Sequence, residues 1–321
     1  MFSIGQILCY LILVIICPTT IANPIIIDTD LGPDDWQAIT YIFAQPGVNV
    51  KVITIEADGE NDCKQGYPKL LTFLKNTNHQ NIPVACGNDK PLRGHHHFPK
   101  NWHLEDKGFF GITVPKEFKQ AQLPRNTASK LIINTLSKSK KPLTIIALGP
   151  MTNLAQSIRE NRQIFLKKVK SIYATTSGFN QLDFTKKHDD IYIGELRASW
   201  NIYIDPLAAA IVFNTPVKLY INMPQAQQNL SIKPVYLALR ETHNRNYYQN
   251  LVFLILQNTL QDLFVGDQLT ALLWHRPDIC QVKLVKPIQF ILNGKRKSRL
   301  ATQCLSVSQD IFTQSFLNRL K

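Results

Sequence analysis

The chain has 321 residues, 45% of them hydrophobic, and a formal net charge of +13, a length that suits one large α/β domain. That charge would serve a nucleic-acid binder only if it were clustered. The basic residues are scattered instead, with short runs at Lys138-Ser139-Lys140-Lys141 and Lys295-Arg296-Lys297 and no aromatic interleaving, so these runs read as solvated loops and no nucleic-acid partner is expected.

Residues 7–16 form an apolar stretch too short to span a bilayer, and Thr20-Ile21-Ala22 offers a small-residue cleavage site before Asn23. Residues 1–22 therefore read as a signal peptide and residues 23–321 as the domain. No Lys or Arg precedes the stretch, which keeps a retained membrane anchor as the competing reading. The expectation is export, to the periplasm or beyond, without stable membrane insertion after the leader is cleaved. Cys9 and Cys17 leave with it, and Cys63, Cys86, Cys280 and Cys304 remain. Sequence neighbours would pair Cys63 with Cys86 and Cys280 with Cys304. Four buried free thiols are equally compatible, and the spacings match no zinc motif.

The run Pro24-Ile25-Ile26-Ile27 reads as a buried strand of a parallel sheet, and Trp36, Ala38, Ile39, Ile42 and Phe43 as the apolar face of a following helix. Between them lie Asp28, Asp30, Asp34 and Asp35, with Gly32 and Pro33 suited to a tight turn into the helix. In an open α/β sheet that loop sits at the carboxyl edge, where ligands bind. Carboxylates so crowded stay ionised together only if a cation or ligand compensates them, and oxygen donors favour calcium or magnesium over zinc. Helix-dipole complementarity accounts for Asp34 and Asp35 but not for Asp28 and Asp30.

Further strands are expected over residues 50–55, 82–85, 143–147, 169–174 and 217–221. Helices are expected over residues 68–75, 129–137, 207–213, 247–260 and 269–274, and a terminal β-hairpin over 288–303 with its turn at Asn293-Gly294. The alternation implies an α/β fold with an open, doubly wound, mostly parallel sheet flanked by helices. His95-His96-His97, between Arg93-Gly94 and Phe98-Pro99, reads as a loop, because consecutive residues do not easily converge on one ion.

The spacing Asp28-x-Asp30-x-Gly32-x-Asp34-Asp35 resembles the signature of the inosine-uridine-type nucleoside hydrolases, calcium-dependent enzymes that cleave the N-glycosidic bond of ribonucleosides. Residues 143–153, LTIIALGPMTN, resemble that family's central strand and the turn after it. Trp200-Asn201-Ile202-Tyr203-Ile204-Asp205-Pro206 resembles its Asn-bearing segment, and Gly266-Asp267-Gln268-Leu269 stands where a late Asp-Pro-Leu usually occurs. The resemblance implies calcium held by Asp30, Asp35, the carbonyl of Leu148 and Asp267, with Asp30 also the base that deprotonates water. It implies ribose contacts from Asp34 and Asn201, and supporting contacts from Asp28. Asp267 could equally serve as an N-cap before Leu269.

The chain departs from the family pattern at Ser199, where a carboxylate is usual, at Ala174-Thr175-Thr176, at Ala57-Asp58-Gly59-Glu60, and at Gly266, where purine-cleaving members carry a His. An Asn usual near Ile193 and Gly194 has no clear equivalent. Glu60 and His103 are the candidates for replacement contacts. The sequence thus implies a small riboside as substrate, with a catalytically impaired calcium- and riboside-binding protein as the alternative. Oligomeric state is left open, a homo-oligomer being one option.

Overall fold

The computed structural model describes residues 24–99, 102, 108–176, 182–183, 199–222, 226–227, 229–259, 264–286, 290–292, 295–297 and 299–320. The leader over 1–22, His103, Ile193, Gly194, Ala198 and the Asn293-Gly294 turn lie outside the described residues.

The first strand, β1 (Ile25–Thr29), is buried along its whole length, as three consecutive isoleucines demand. Ile25 and Ile27 join one hydrophobic cluster and Ile26 the other, so the strand's alternation anchors helices on both faces of a sheet. Each fully buried isoleucine contributes about 1.5–3 kcal/mol. After β1 come α1 (Pro33–Phe43), β2 (Val50–Ile55), α2 (Cys63–Asn76), β3 (Val84–Cys86), α3 (Lys116–Lys119), α4 (Ala128–Lys138), β4 (Leu143–Ala147), α5 (Thr152–Glu160), α6 (Arg162–Lys168), β5 (Val169–Thr175) and β6 (Leu182–Asp183). The chain continues with α7 (Trp200–Ile204), α8 (Pro206–Phe213), β7 (Lys218–Asn222), α9 (Lys233–Glu241), α10 (Tyr247–Asn258), α11 (Asp267–His275), β8 (Gln281–Val285), β9 (Phe290–Leu292), β10 (Lys295–Lys297), β11 (Ala301–Ser306) and α12 (Gln309–Arg319).

Eight strands form the main sheet in the order β3-β2-β1-β4-β5-β7-β11-β8. Every pairing in it is parallel except β11 with β8, so the expected doubly wound, mostly parallel sheet is present. The order reverses between β1 and β4. That reversal opens a crevice at the carboxyl ends of these two strands.

Several expected boundaries shift. Helix α2 begins five residues before Pro68, because Asp62 accepts the Gln65 backbone N–H at 2.7 Å and caps it there; the proline lies inside the helix rather than at its start. The terminal hairpin is smaller than expected. Strands β9 and β10 pair antiparallel in a separate sheet with β6, whereas residues from Ala301 onward leave it and insert between β7 and β8. Helix α11 is capped at Gly266, so Asp267 is its first residue rather than its cap. Both cysteine pairs are disulfide-bonded, Cys63 to Cys86 and Cys280 to Cys304. His96 donates from Nδ1 to the Tyr203 carbonyl at 2.5 Å and stacks on the Tyr203 ring, while His97 donates to the Phe98 carbonyl, so the three histidines do not converge.

Candidate active site

The crevice is built from the β1–α1 turn. Leu31 takes a left-handed conformation (φ 59°) while fully buried, a strained geometry for a branched residue that costs on the order of 1–3 kcal/mol. Its backbone is held by the Thr29 hydroxyl at 3.1 Å and by the Asn61 amide at 2.8 Å, and its side chain sits where a Cβ on Gly66 would intrude at 2.6 Å. The kink turns Asp30 toward the β2–α2 loop. There its carboxylate accepts the Glu60 backbone N–H at 3.0 Å. Asp35, in the first turn of α1, accepts from the Thr29 hydroxyl and from the Asp30 backbone N–H.

A cavity of about 280 Å³ opens above these groups. Asp30, Asp34, Asp35, Glu60 and Asp267 line it together with Leu148, Thr175, Thr176, Asn201 and an aromatic group. Asp34, Asp35 and Asp267 bring carboxylate oxygens within 4.8 Å of one another. Burial first, and then the charges of Asp35 and Glu60, hold Asp30 well above the ordinary carboxyl range. Burial and Asp35 lift Asp34 to about 7, and burial with the Asp34 and Asp35 charges raises Asp267 well above its usual value. One Asp267 carboxylate oxygen is buried without a hydrogen-bond partner. These residues fit a hard cation: the donors are all oxygen, they converge, and a positive ion would relieve the repulsion that raises them.

A second carboxyl layer lies beneath. Asp28 accepts from the Thr54 hydroxyl at 2.5 Å and the Asn153 amide at 3.0 Å, while the Asn153 backbone N–H bonds Glu56 at 2.9 Å. The Thr152 hydroxyl reaches both Asp58, at 2.6 Å, and Asp205, at 2.9 Å. A hydroxyl has one proton, so one of those carboxyls must supply the other. Burial raises Asp58 to about 8, Asp28 to about 6, and Glu56 well above its ordinary value; burial raises Asp205 too, but its carboxylate also accepts the Leu92 backbone N–H at 2.6 Å, an arrangement that favours Asp58 as the protonated partner.

The remaining walls come from α7, from Phe98 and Trp102 after β3, and from Phe264 just before α11. Asn201 donates its side-chain amide to the Leu148 carbonyl at 2.5 Å and the Thr175 carbonyl at 3.0 Å, tying α7 to the ends of β4 and β5. Phe98, Trp102 and Trp200 pack together with ring centroids 5.1–5.8 Å apart. All three face the cavity, and half-exposed Phe264 joins them at its margin. The hydroxyls of Thr176 and Ser199, both lining residues, are buried without partners.

The residues expected from sequence thus meet in one place. Asp30, Asp34, Asp35, Glu60, Leu148, Asn201 and Asp267 share the cavity, Asp28 lies beneath it, and His103 is outside the described residues. Among the described residues, the closest cation-type grouping is Asp34, Asp35 and Asp267; Asp30 stands beside it. Sequence reasoning missed Glu56, Asp58 and Asp205 as a buried network, although the alternation of acids from Glu56 to Glu60 and the Asp-Pro before α8 were visible. It also missed the aromatic wall, which assembles from segments more than a hundred residues apart.

The family model for inosine-uridine preferring nucleoside hydrolases matches residues 25–304. The pyrimidine-specific ribonucleoside hydrolases RihA of Escherichia coli and Salmonella arizonae are each 34% identical to the chain over 199 residues, 61% of this chain and 58% of theirs. The match therefore spans less than two thirds of those relatives' length. Among solved structures, an inosine-uridine preferring nucleoside hydrolase from Bacillus anthracis superposes with a TM-score of 0.73 at 17% identity, covering 93% of this chain and 99% of that one. A purine-preferring ribonucleoside hydrolase from Gardnerella vaginalis gives 0.70 at 16% identity, covering 92% and 98%. At these identities the superpositions speak for the fold.

Proposed function

The chain belongs to the inosine-uridine preferring nucleoside hydrolase family, and from that premise we propose that it hydrolyses the N-glycosidic bond of a ribonucleoside or related N-riboside, releasing base and ribose. The observation that carries the reading is the convergence of Asp34, Asp35 and Asp267 beside Asp30 at the switch point of the sheet.

In this proposal calcium is the cofactor, held by Asp30, Asp35, Asp267 and the Leu148 carbonyl. When bound, calcium would offset the carboxylate repulsion and make a nearby water more acidic. Asp30 takes the proton from the attacking water. It is suited to that task because Glu60 fixes one of its oxygens through the backbone and burial keeps its basicity high. Asp34 and Asn201 bond ribose hydroxyls, and Glu60 and His103 supply further contacts. Asp28 supports the turn from below. Two disulfides among the described residues support export, since such bonds persist in oxidising compartments. No described helix is long and apolar enough to cross a membrane.

Ser199, whose buried hydroxyl lacks a partner, favours a second reading in which the chain binds a riboside without turning it over. Reducing-sugar release from a riboside panel, with calcium and with a chelator, separates the two. Release that requires both calcium and Asp30, judged against Asp30→Ala, is expected; none from any riboside, with calcium still raising Tm, would leave the binding reading.

A further inference from the structure

Gln37 in α1, Asn222 at the end of β7 and Gln268 in α11 are each no more than 2% exposed. Burying an amide is costly unless its oxygen and its nitrogen both find partners, and here the partners form a single chain. The Thr176 backbone N–H donates to the Asn222 side-chain oxygen at 3.2 Å, and the Asn222 amide nitrogen donates to the Gly266 carbonyl at 2.9 Å. The Gly266 N–H then donates to the Gln268 side-chain oxygen at 2.8 Å. The Gln268 nitrogen donates to the Gln37 oxygen at 3.0 Å, and the Gln37 nitrogen to the Pro33 carbonyl at 3.3 Å.

Backbone groups fix the direction of every link. A backbone N–H only donates and a carbonyl only accepts, so turning any of these amides over would set donor against donor or acceptor against acceptor. The chain therefore has one polarity, from the end of β5 to the first turn of α1, and links so aligned strengthen one another. Its span matters to the site. One end holds the peptide that leads into Asp34, and the middle holds the backbone on both sides of the Gly266 α-carbon, immediately before Asp267. The Asp267 N–H in turn approaches an Asp34 carboxylate oxygen at 3.4 Å, and a Cβ on Gly266 would stand 2.6 Å from that same oxygen.

Asp34, Asp35 and Asp267 bring carboxylate oxygens within 4.8 Å of one another, and without a cation their repulsion pushes the start of α11 away from α1. The amide chain ties the same two segments together. We propose that Gln37, Asn222 and Gln268 are positioning residues that hold Asp267 against Asp34 and Asp35 before an ion arrives, and so preorganise the site for calcium. Free energy that would otherwise go into gathering the ligands is kept as affinity. The proposal rests on the calcium reading of the site and adds to it the residues that set its strength.

The test is calorimetric titration of the chelator-treated full chain with calcium, beside its Tm in chelator. Gln268→Met keeps the length of the side chain and removes the links to Gly266 and Gln37; it should weaken calcium binding by about tenfold, each link being worth roughly a few-fold. Gln268→Asn keeps an amide that is too short to reach both partners, and should show a smaller loss in a protein that folds more readily. Gln37→Met should weaken binding several-fold, and the double variant Gln37→Met with Gln268→Met should be little worse than Gln268→Met alone, because links of one chain do not add. Gln45, as deeply buried and bonded to the Tyr41 carbonyl just past the far end of α1, is the control: Gln45→Met should lower Tm and leave calcium affinity unchanged. Wild-type affinity in both Gln268 variants, losses that simply add in the double variant, or an equal loss in Gln45→Met overturns the proposal while leaving the calcium reading in place. No calcium uptake by the wild-type chain defeats that reading and the proposal together.

Discussion

Gly59 lies so close to Asp30 that a Cβ at position 59 would stand 2.1 Å from the Asp30 Cβ and 2.6 Å from its carboxylate. No side chain fits there, and the facing carboxylate is therefore aimed by the bare backbone of the β2–α2 loop. Gly59→Ala should displace Asp30 by about an ångström and lower kcat roughly a hundredfold. Gly108→Ala, at a position with nothing within 4 Å, should leave kcat unchanged. Sugar-release kinetics on both variants check the contrast.

Removing one charge from the converging carboxylates should weaken cation binding more than it weakens the fold. Asp267→Asn is expected to lower calcium affinity by about tenfold or more, since affinity in such sites follows ligand charge. Relief of repulsion with Asp34 and Asp35 should at the same time raise the Tm of the calcium-free protein. Calorimetric titration and thermal melts read the two effects separately.

The buried layer gives the calcium-free protein a pH signature. Asp58 is raised to about 8 and Asp28 to about 6 by burial, so the folded state binds protons that the unfolded chain, with carboxyls near 4, has released. Stability from this source is full below pH 4 and is lost as pH rises through 6 and 8. Melts in chelator should show Tm falling across that window, and Asp58→Asn should flatten its upper part.

The two disulfides close loops of nearly equal length, with separations of 23 and 24 residues, and each should stabilise the fold by about 3 kcal/mol. Their effects on activity should differ. Cys63–Cys86 fixes the start of α2, directly after the loop carrying Gly59 and Glu60, whereas Cys280–Cys304 joins β8 to β11. Replacing the first pair by serines should lower both Tm and kcat, and replacing the second should lower Tm alone.

Sequence periodicity reached the parallel sheet and the β1–α1 acidic turn because both depend on near neighbours: a run of isoleucines, a glycine and a proline fix them locally. Helix α2 was misjudged at its start because the capping power of Asp62 outweighs the tendency of Pro68 to begin a helix. The departure of β11 from the hairpin is a long-range effect, decided by the space between β7 and β8. The aromatic wall escaped notice for a related reason, since Phe98 and Trp200 meet only once α7 is pinned by Asn201 to the ends of β4 and β5.

The inward placement of acids also changes what the solvent meets. Asp28, Asp30, Asp35, Glu56, Asp58, Asp205 and Asp267 are each no more than 7% exposed, while most of the basic residues stay outside. The formal +13 therefore understates the exterior charge. Molecules in solution should repel one another more strongly than composition suggests, and elution from a cation exchanger should require more salt than the sequence alone would lead one to set.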